Sequence, residues 1–164
     1  MNGLPYVSTS GELFMEIEFT PPFREFLTLM NRHHVEFMII GGYAVNFHGF
    51  PRLTHDIDLL IGIEKENINR LRQTLNDFGF PMDALRDPLF TKEKTILRFG
   101  IAPNRVEIFS KIPGVNWNEC WENRVTATTQ GIELNWIGLR ELRKNKFACD
   151  RGKDQIDLEE LPEA

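Results

Sequence analysis

Two aspartates separated by one residue stand at the start of a short apolar run, residues 59–61. In a β-strand, residues i and i+2 point to the same face, so the side chains of Asp56 and Asp58 are expected side by side. Neighbouring carboxylates repel each other, and each raises the pKa of the other. A divalent cation would relieve this repulsion, and Mg²⁺ prefers one or two carboxylates together with phosphate oxygens and water. The pattern predicts a metal site; the alternative is an exposed acidic pair at a strand edge.

A pair of glycines, Gly41 and Gly42, lies upstream between an apolar run at 36–40 and a segment, 43–48, that fits a short helix. Glycine lets the backbone approach an anion without a Cβ in the way, and a helix N-terminus offers free N–H groups. This arrangement suits a triphosphate. Taken alone, the glycine pair is equally typical of a plain tight turn.

The whole segment 41–59, GGYAVNFHGFPRLTHDIDL, resembles the signature of the DNA polymerase β-type nucleotidyltransferase superfamily. More narrowly, it is similar to the small bacterial nucleotidyltransferases that include toxins of toxin–antitoxin and abortive-infection systems. In those proteins a Gly-Gly or Gly-Ser turn is followed, after a spacer, by a Gly-x-x-Arg-x-Thr/Ser segment and an acidic pair. Gly49, Arg52, Thr54 and the two aspartates stand in the same register here.

This resemblance implies a nucleoside triphosphate substrate and a Mg²⁺ or Mn²⁺ cofactor. Many members of the superfamily have a serine after the first glycine, whereas this chain has Gly42 followed by Tyr43. Phosphate binding would therefore depend on backbone donors and on the Tyr43 hydroxyl. The residues implied to bind the nucleotide are Gly41, Gly42, Tyr43, Arg52 and Thr54.

Two-metal nucleotidyl transfer requires a third carboxylate beside the aspartate pair. The resemblance places it on a later strand, and Glu107, within the apolar segment 105–109, fits that position. Family members more often have aspartate there, and glutamate reaches further by one methylene. The predicted metal ligands are thus Asp56, Asp58 and Glu107. The alternative for Glu107 is an edge-strand residue paired with Arg98 or Arg105.

The C-terminal segment 142–158 resembles the closing segment of the same bacterial subgroup, in which a lysine lies in one helix and an aspartate opens the next. By this resemblance Lys146 would contribute positive charge to the triphosphate. Asp154 would orient Lys146 or approach the metal or the acceptor. Asp154 also suits an ordinary helix N-cap or first turn, where a carboxylate is favoured.

Helical and strand periodicities predict the elements that position these residues. Helices are expected at 21–33, 43–48, 64–78, 139–149 and 154–161, and strands at 36–40, 57–61, 95–100, 105–109, 121–128 and 132–136. The result is an α/β (α+β) fold, a nucleotidyltransferase-type mixed sheet flanked by helices. Residues 1–20 are predicted to form an extended lead-in, and residues 21–164 a single domain. The paired strands of the second half argue against a doubly wound fold.

Composition limits the function. The net charge is −5 and the pI about 5.4, which argues against general polyanion binding. No apolar run is long enough to cross a membrane and no signal peptide is recognisable, so a cytoplasmic location without membrane contact is expected. The two cysteines, Cys120 and Cys149, are expected to be reduced core residues.

The combined expectation is an enzyme that transfers a nucleoside monophosphate group from the triphosphate to an acceptor hydroxyl or phosphate. RNA or tRNA, a protein or a small molecule could be the acceptor, and a toxin-like enzyme would have an antitoxin-like protein partner. Two alternatives stay open. One is a binding or regulatory protein that keeps the fold without the chemistry; the other is an antibiotic-type enzyme for small molecules.

Overall fold

The protein is described by a computed structural model that covers residues 6–7, 13–14 and 17–164. Eight strands and six α-helices alternate along these residues. The strands are β1 (Tyr6–Val7), β2 (Leu13–Phe14), β3 (Phe37–Ile40), β4 (Asp56–Ile61), β5 (Ile96–Phe99), β6 (Arg105–Phe109), β7 (Val125–Thr129) and β8 (Ile132–Trp136). The helices are α1 (Pro21–Arg32), α2 (Gly41–Phe47), α3 (Lys65–Phe78), α4 (Trp117–Glu122), α5 (Leu139–Cys149) and α6 (Gly152–Glu160), with a 3₁₀ turn at Met82–Leu85.

Six strands form one mixed sheet in the order β5-β6-β4-β3-β8-β7, and β1 pairs with β2 separately. β4 runs antiparallel to β3 and parallel to β6. The parallel pairing places Asp58 opposite Glu107 and Asp56 opposite Arg105. The topology thus brings the carboxylates of two strands, far apart in sequence, to one end of the sheet.

The two central strands are apolar because they are covered on both faces. All four residues of β3 are buried, as are the four apolar residues of β4. Helices α1 and α3 pack against each other over the sheet, and their buried residues recur at helical spacing. α3 ends at Gly79, whose φ of +118° is the left-handed conformation that favours glycine at a helix C-terminus.

The predicted α/β class with a mixed sheet is confirmed, and the predicted helices and strands are present within one to three residues at most ends. Two predictions were wrong. Residues 121–122 belong to helix α4, because the Asn116 side chain accepts a hydrogen bond from the Glu119 amide and begins a helix that strand periodicity missed. Helix α2 begins at Gly41, so the glycines form its first turn and do not precede it.

Most of the predicted lead-in, residues 1–20, lies outside the described residues. Its described part contains the antiparallel strands β1 and β2 and the irregular residues 17–20, of which Ile17 and Phe19 are buried in the core. The division at residue 21 stays a prediction. Among the described residues, no helix is long and apolar enough to cross a membrane. Both cysteines are free thiols; Cys120 is buried and Cys149 is half-buried.

Candidate active site

The turn at Gly41 and Gly42 requires glycine at both positions because side chains from the β4 region lie against it. A Cβ at Gly41 would stand 2.1 Å from Oδ2 of Asp58, and Gly41 has a φ of +62°. A Cβ at Gly42 would stand 2.6 Å from Oγ1 of Thr54. The glycine pair is therefore where the backbone of α2 approaches the carboxylate of Asp58 and the hydroxyl of Thr54.

Asp58 is the most strongly perturbed acid of the site. Burial, the charge of Glu107, a hydrogen bond with Glu107 and the charge of Asp56 together raise its pKa from 3.8 to about 7. Lys153 acts in the opposite direction. The side chains of Asp58 and Glu107 lie close enough to influence each other's charge, as their opposed positions on β4 and β6 lead us to expect. Such a perturbed acid at the mouth of a cavity marks a candidate functional site.

The other two carboxylates have arginine partners that remain partly exposed. Oε1 of Glu107 is 2.5 Å from Nε of Arg98, and Oδ2 of Asp56 is 3.8 Å from Nη1 of Arg105. The alternative pairing of Glu107 with Arg98 is thus present, although β6 is an interior strand of the sheet. Oδ1 of Asp56 is buried and has no hydrogen-bond partner among the described residues.

These observations bear on whether a divalent cation fits. Within the described ranges, no three His, Cys, Asp or Glu side chains are already arranged as a metal-binding group. The donor set is nevertheless suitable for Mg²⁺, because it offers an unpartnered buried oxygen on Asp56 and a desolvated carboxyl on Asp58. Glu107 would join them through its other carboxylate oxygen, because Oε1 faces Arg98.

One cavity of about 690 Å³ borders this acid cluster, which consists of Asp56, Asp58 and Glu107. The glycine turn and the acids form one side, and residues of α5, α6 and the segment after β6 form the other. Its polar and charged lining residues are Arg52, Asp56, Asp58, Thr95, Glu107, Lys111, Asn145, Lys146, Arg151 and Lys153. Of the ten residues predicted for the site, seven line this cavity; Tyr43, Thr54 and Asp154 do not.

The side chain of Tyr43 is buried in the core. Its ring centroid lies 5.3 Å from that of Phe19 and 6.1 Å from that of Phe23. Burial raises the pKa of the Tyr43 hydroxyl. The expectation that this hydroxyl binds phosphate was wrong, because the helical turn of α2 directs the ring away from the cavity.

Lys146 and Asp154 are paired, but in a different setting from the one expected. The ammonium of Lys146 is 2.9 Å from Asp154 and 2.8 Å from Asp157, and its side chain is 3% exposed. Asp154 also accepts from Arg151, at 2.7 Å from Nε, and closes a capping box at the start of α6. Burial raises the pKa of Asp154, but the hydrogen bonds from Arg151 and Lys146 outweigh it, so the pKa is lowered. The charge of Lys146 is therefore already balanced within the protein.

Arg52 joins the same group through Asp157. Nε of Arg52 is 2.7 Å from Oδ1 of Asp157, and Nη2 donates to Oδ2 at 3.1 Å. We call the five connected residues the ion-pair network: Arg52, Lys146, Arg151, Asp154 and Asp157. It joins the segment before β4 to α5 and α6.

Sequence reasoning missed three residues that the structure brings to the site or its wall. Asp157, three residues after Asp154 in α6, is almost fully buried. Lys111 and Lys153 line the cavity, and neither lies within ion-pairing distance of an acid in the part of the chain that the structure describes. No local pattern distinguishes these lysines from a solvated face, since only the packing of α6 and of the segment after β6 reveals the shared cavity.

The nearby histidines are not part of the site. His48 contacts the backbone oxygen of Ile137 at 2.7 Å, and burial lowers its pKa. His55 is exposed and does not line the cavity.

No protein-family model matches the sequence. No curated protein matches it either. Among solved structures, a candidate nucleotidyltransferase from Thermotoga maritima superposes with a TM-score of 0.58 at 16% identity, covering 84% of this chain and 88% of that one. An antigenic nucleotidyltransferase-like protein from Paracoccidioides brasiliensis superposes with a TM-score of 0.49 at 19% identity, covering 84% of this chain and 72% of that one. The Thermotoga likeness shows that this chain has the nucleotidyltransferase-type α/β fold.

Proposed function

We propose that this protein is a Mg²⁺- or Mn²⁺-dependent nucleotidyltransferase that moves a nucleoside monophosphate group from a nucleoside triphosphate to an acceptor, with release of pyrophosphate. The observation that carries the proposal is the meeting of Asp56, Asp58 and Glu107 at a single cavity beside the glycine turn. Acids from two strands would provide the metal site, and the cavity that they border would provide space for the phosphates.

The acid cluster would hold the cation. When bound, the cation would neutralise charge on the triphosphate and lower the pKa of the attacking hydroxyl group. Gly41 and Gly42 line the cavity and allow Asp58 and Thr54 to lie directly against the backbone there. Lys111 and Lys153 have no ion-pair partner in the part of the chain that the structure describes, so they are better placed than Lys146 to meet phosphate charge. Asp154 would act indirectly, by holding Lys146 and Arg151.

A direct test compares the protein with Asp58→Ala in the incorporation of each α-labelled nucleoside triphosphate into total cellular RNA, added protein and small hydroxyl acceptors, with Mg²⁺ or EDTA. Wild-type protein is expected to label one acceptor class only with the metal, and Asp58→Ala to lose at least about 10³-fold of the rate. Asp77→Ala, which removes a half-exposed carboxylate on α3, is the matched control. An unchanged rate in Asp58→Ala would refute the proposal.

The acceptor assay also addresses the toxin-like role. If RNA or tRNA is labelled, expression of the protein should arrest growth, and a neighbouring antitoxin-like gene product should restore it. Labelling of a small hydroxyl compound without growth arrest would instead support an antibiotic-type enzyme.

A second candidate function, nucleotide binding without turnover, is favoured by one observation. Glu107 is engaged by Arg98, and no described group of three acids is preset for a metal. Calorimetry distinguishes the two: the enzyme should bind nucleoside triphosphate only with Mg²⁺, whereas a binding protein should bind it independently of the metal and transfer nothing.

A further inference from the structure

Asp157 lies between two cations of the cavity wall. One carboxylate contacts Nε and Nη2 of Arg52 at 2.7 and 3.1 Å and the ammonium of Lys146 at 2.8 Å, and the side chain is 1% exposed. Lys146 has a second buried partner in Asp154. The need to neutralise Lys146 therefore does not by itself explain why Asp157 is buried here. Among the described residues, Asp157 is the only carboxylate that contacts Arg52.

Arg52 belongs to residues 51–55, which have no regular secondary structure. Two contacts fix it from opposite ends. Its backbone amide donates to Oδ1 of Asn46 at 2.9 Å, and its guanidinium faces Asp157. An arginine side chain that is not held this way would lose rotamer entropy on binding a ligand.

The guanidinium also lies against the glycine turn. Nη1 of Arg52 is 3.4 Å from the position that a Cβ of Gly42 would occupy. Among the described residues, Nη2 donates to Asp157 and Nε lies 2.7 Å from its Oδ1 without hydrogen-bond geometry, while Nη1 makes only a long 3.4 Å contact with the oxygen of Leu53. Since a guanidinium has five N–H groups in a fixed plane, binding Asp157 along one edge leaves the Nη1 edge available to an anion.

We propose that Asp157 is a positioning residue that holds Arg52 against the Gly42 turn, so that the free edge of the guanidinium meets the phosphates of the nucleoside triphosphate. The inference rests on the proposed function and assigns Asp157 no contact with the substrate. It explains why a residue of α6 that does not line the cavity is buried beside two residues that do.

Calorimetry with the α,β-methylene analogue of each nucleoside triphosphate and Mg²⁺ tests the inference, together with initial transfer rates. In Asp157→Asn the Kd of the analogue and the KM should rise at least tenfold, while kcat changes less than threefold. Glu159→Gln, an exposed change on the same helix, is the matched control and should alter neither. Equal Kd values for wild-type protein and Asp157→Asn would overturn the inference.

A double variant separates positioning from a general structural role. If Asp157 acts through Arg52, then Arg52→Ala and Arg52→Ala combined with Asp157→Asn should have Kd values within twofold of each other. Losses that multiply in the double variant would overturn the inference. Should Asp157→Asn fail to fold, Arg52→Lys tests the same contact, because an ammonium cannot span Asp157 and the turn. A tenfold rise in its Kd supports the inference, and an unchanged Kd overturns it.

The two proposals can fail separately. Wild-type protein that binds no nucleoside triphosphate would refute the proposed function, and this inference with it. Wild-type protein that binds the analogue as tightly as Asp157→Asn does would refute the inference alone.

Discussion

Two groups of charged residues border the cavity, and they differ in whether their carboxylates are paired with cations. In the ion-pair network, both carboxylates lie 2.7–2.9 Å from cations and are shielded from water. In the acid cluster, Asp58 has no Lys or Arg within ion-pairing distance among the described residues, and its pKa rises to about 7. The acid cluster thus keeps unbalanced negative charge in a partly desolvated place.

This difference separates residues that stabilise the fold from the acids that we propose bind a cation. Removing one partner of a buried ion pair leaves the other charge uncompensated, which is strongly destabilising. Removing a buried carboxylate that has no cationic partner has the opposite effect. The free-energy cost of desolvating it is not offset by an ion pair, and this cost disappears with the charge. Perturbed acids of this kind are common at functional sites. The following experiments test the contrast.

The largest expected effect is on stability, in Asp154→Asn. The substitution leaves Lys146 and Arg151 with one charged partner fewer, and the free energy of unfolding should fall by about 3–5 kcal/mol. Urea unfolding followed by tryptophan fluorescence measures it, with the exposed Glu160→Gln on the same helix as control. A loss below about 1 kcal/mol would show that the network stabilises the fold no more than an exposed ion pair does.

The acid cluster should respond with the opposite sign. The pKa of Asp58 is raised from 3.8 to about 7 in the folded protein, so the folded state holds an extra proton between these values, and stability falls as pH rises through them. Asp58→Asn abolishes this loss. In EDTA it should be more stable than wild type by on the order of 1–3 kcal/mol at pH 8, with the difference vanishing near pH 4. A difference independent of pH would contradict the assignment.

Mg²⁺ should stabilise the wild-type protein by a smaller amount. A cation at ten times its Kd contributes about 1.4 kcal/mol. Because it binds deprotonated Asp58, the rise in Tm should be larger at pH 8 than at pH 6. Thermal unfolding with and without Mg²⁺ measures both values, and Asp58→Asn should show neither shift. Equal shifts in wild-type protein and Asp58→Asn would place the cation elsewhere.

The smallest effect is expected from Arg98→Ala. Arg98 is 56% exposed, and exposed ion pairs contribute about 0–1 kcal/mol, so stability should change little. Without Arg98, Oε1 of Glu107 has no ion-pair partner among the described residues and can contact a cation. Mg²⁺ should therefore bind more tightly, as measured by calorimetry. Weaker Mg²⁺ binding in this variant would indicate that Arg98 holds Glu107 in its functional orientation.

Much of the fold could be predicted because the core elements carry strong local periodicity. The stripe of α3, the apolar run of β3 and the pairing of β5 with β6 were all recognisable in the sequence. Helix α4 could not be recognised, since its six residues have too few turns to show a period. The side chain that caps it is a common loop residue.

The candidate site was predictable only where chemistry depends on spacing along the chain. The i, i+2 relation placed Asp56 and Asp58 on one face, and the glycine pair marked the turn that faces them. The prediction for Tyr43 was wrong because its place after the glycines does not determine where its side chain points. The helical turn of α2 determines that direction.

The sequence by itself determined which residues carry charge near the site and that the acids of β4 share a face. Only the tertiary structure decided which charges cancel. Asp157 reaches Arg52 across 105 positions of the chain, and Glu107 meets Asp58 through the pairing of β6 with β4. Electrostatic interactions depend on distance and burial, which no local pattern records. For that reason Lys146, predicted to bind phosphate, lies between two buried carboxylates, while Asp58 has no Lys or Arg within ion-pairing distance among the described residues.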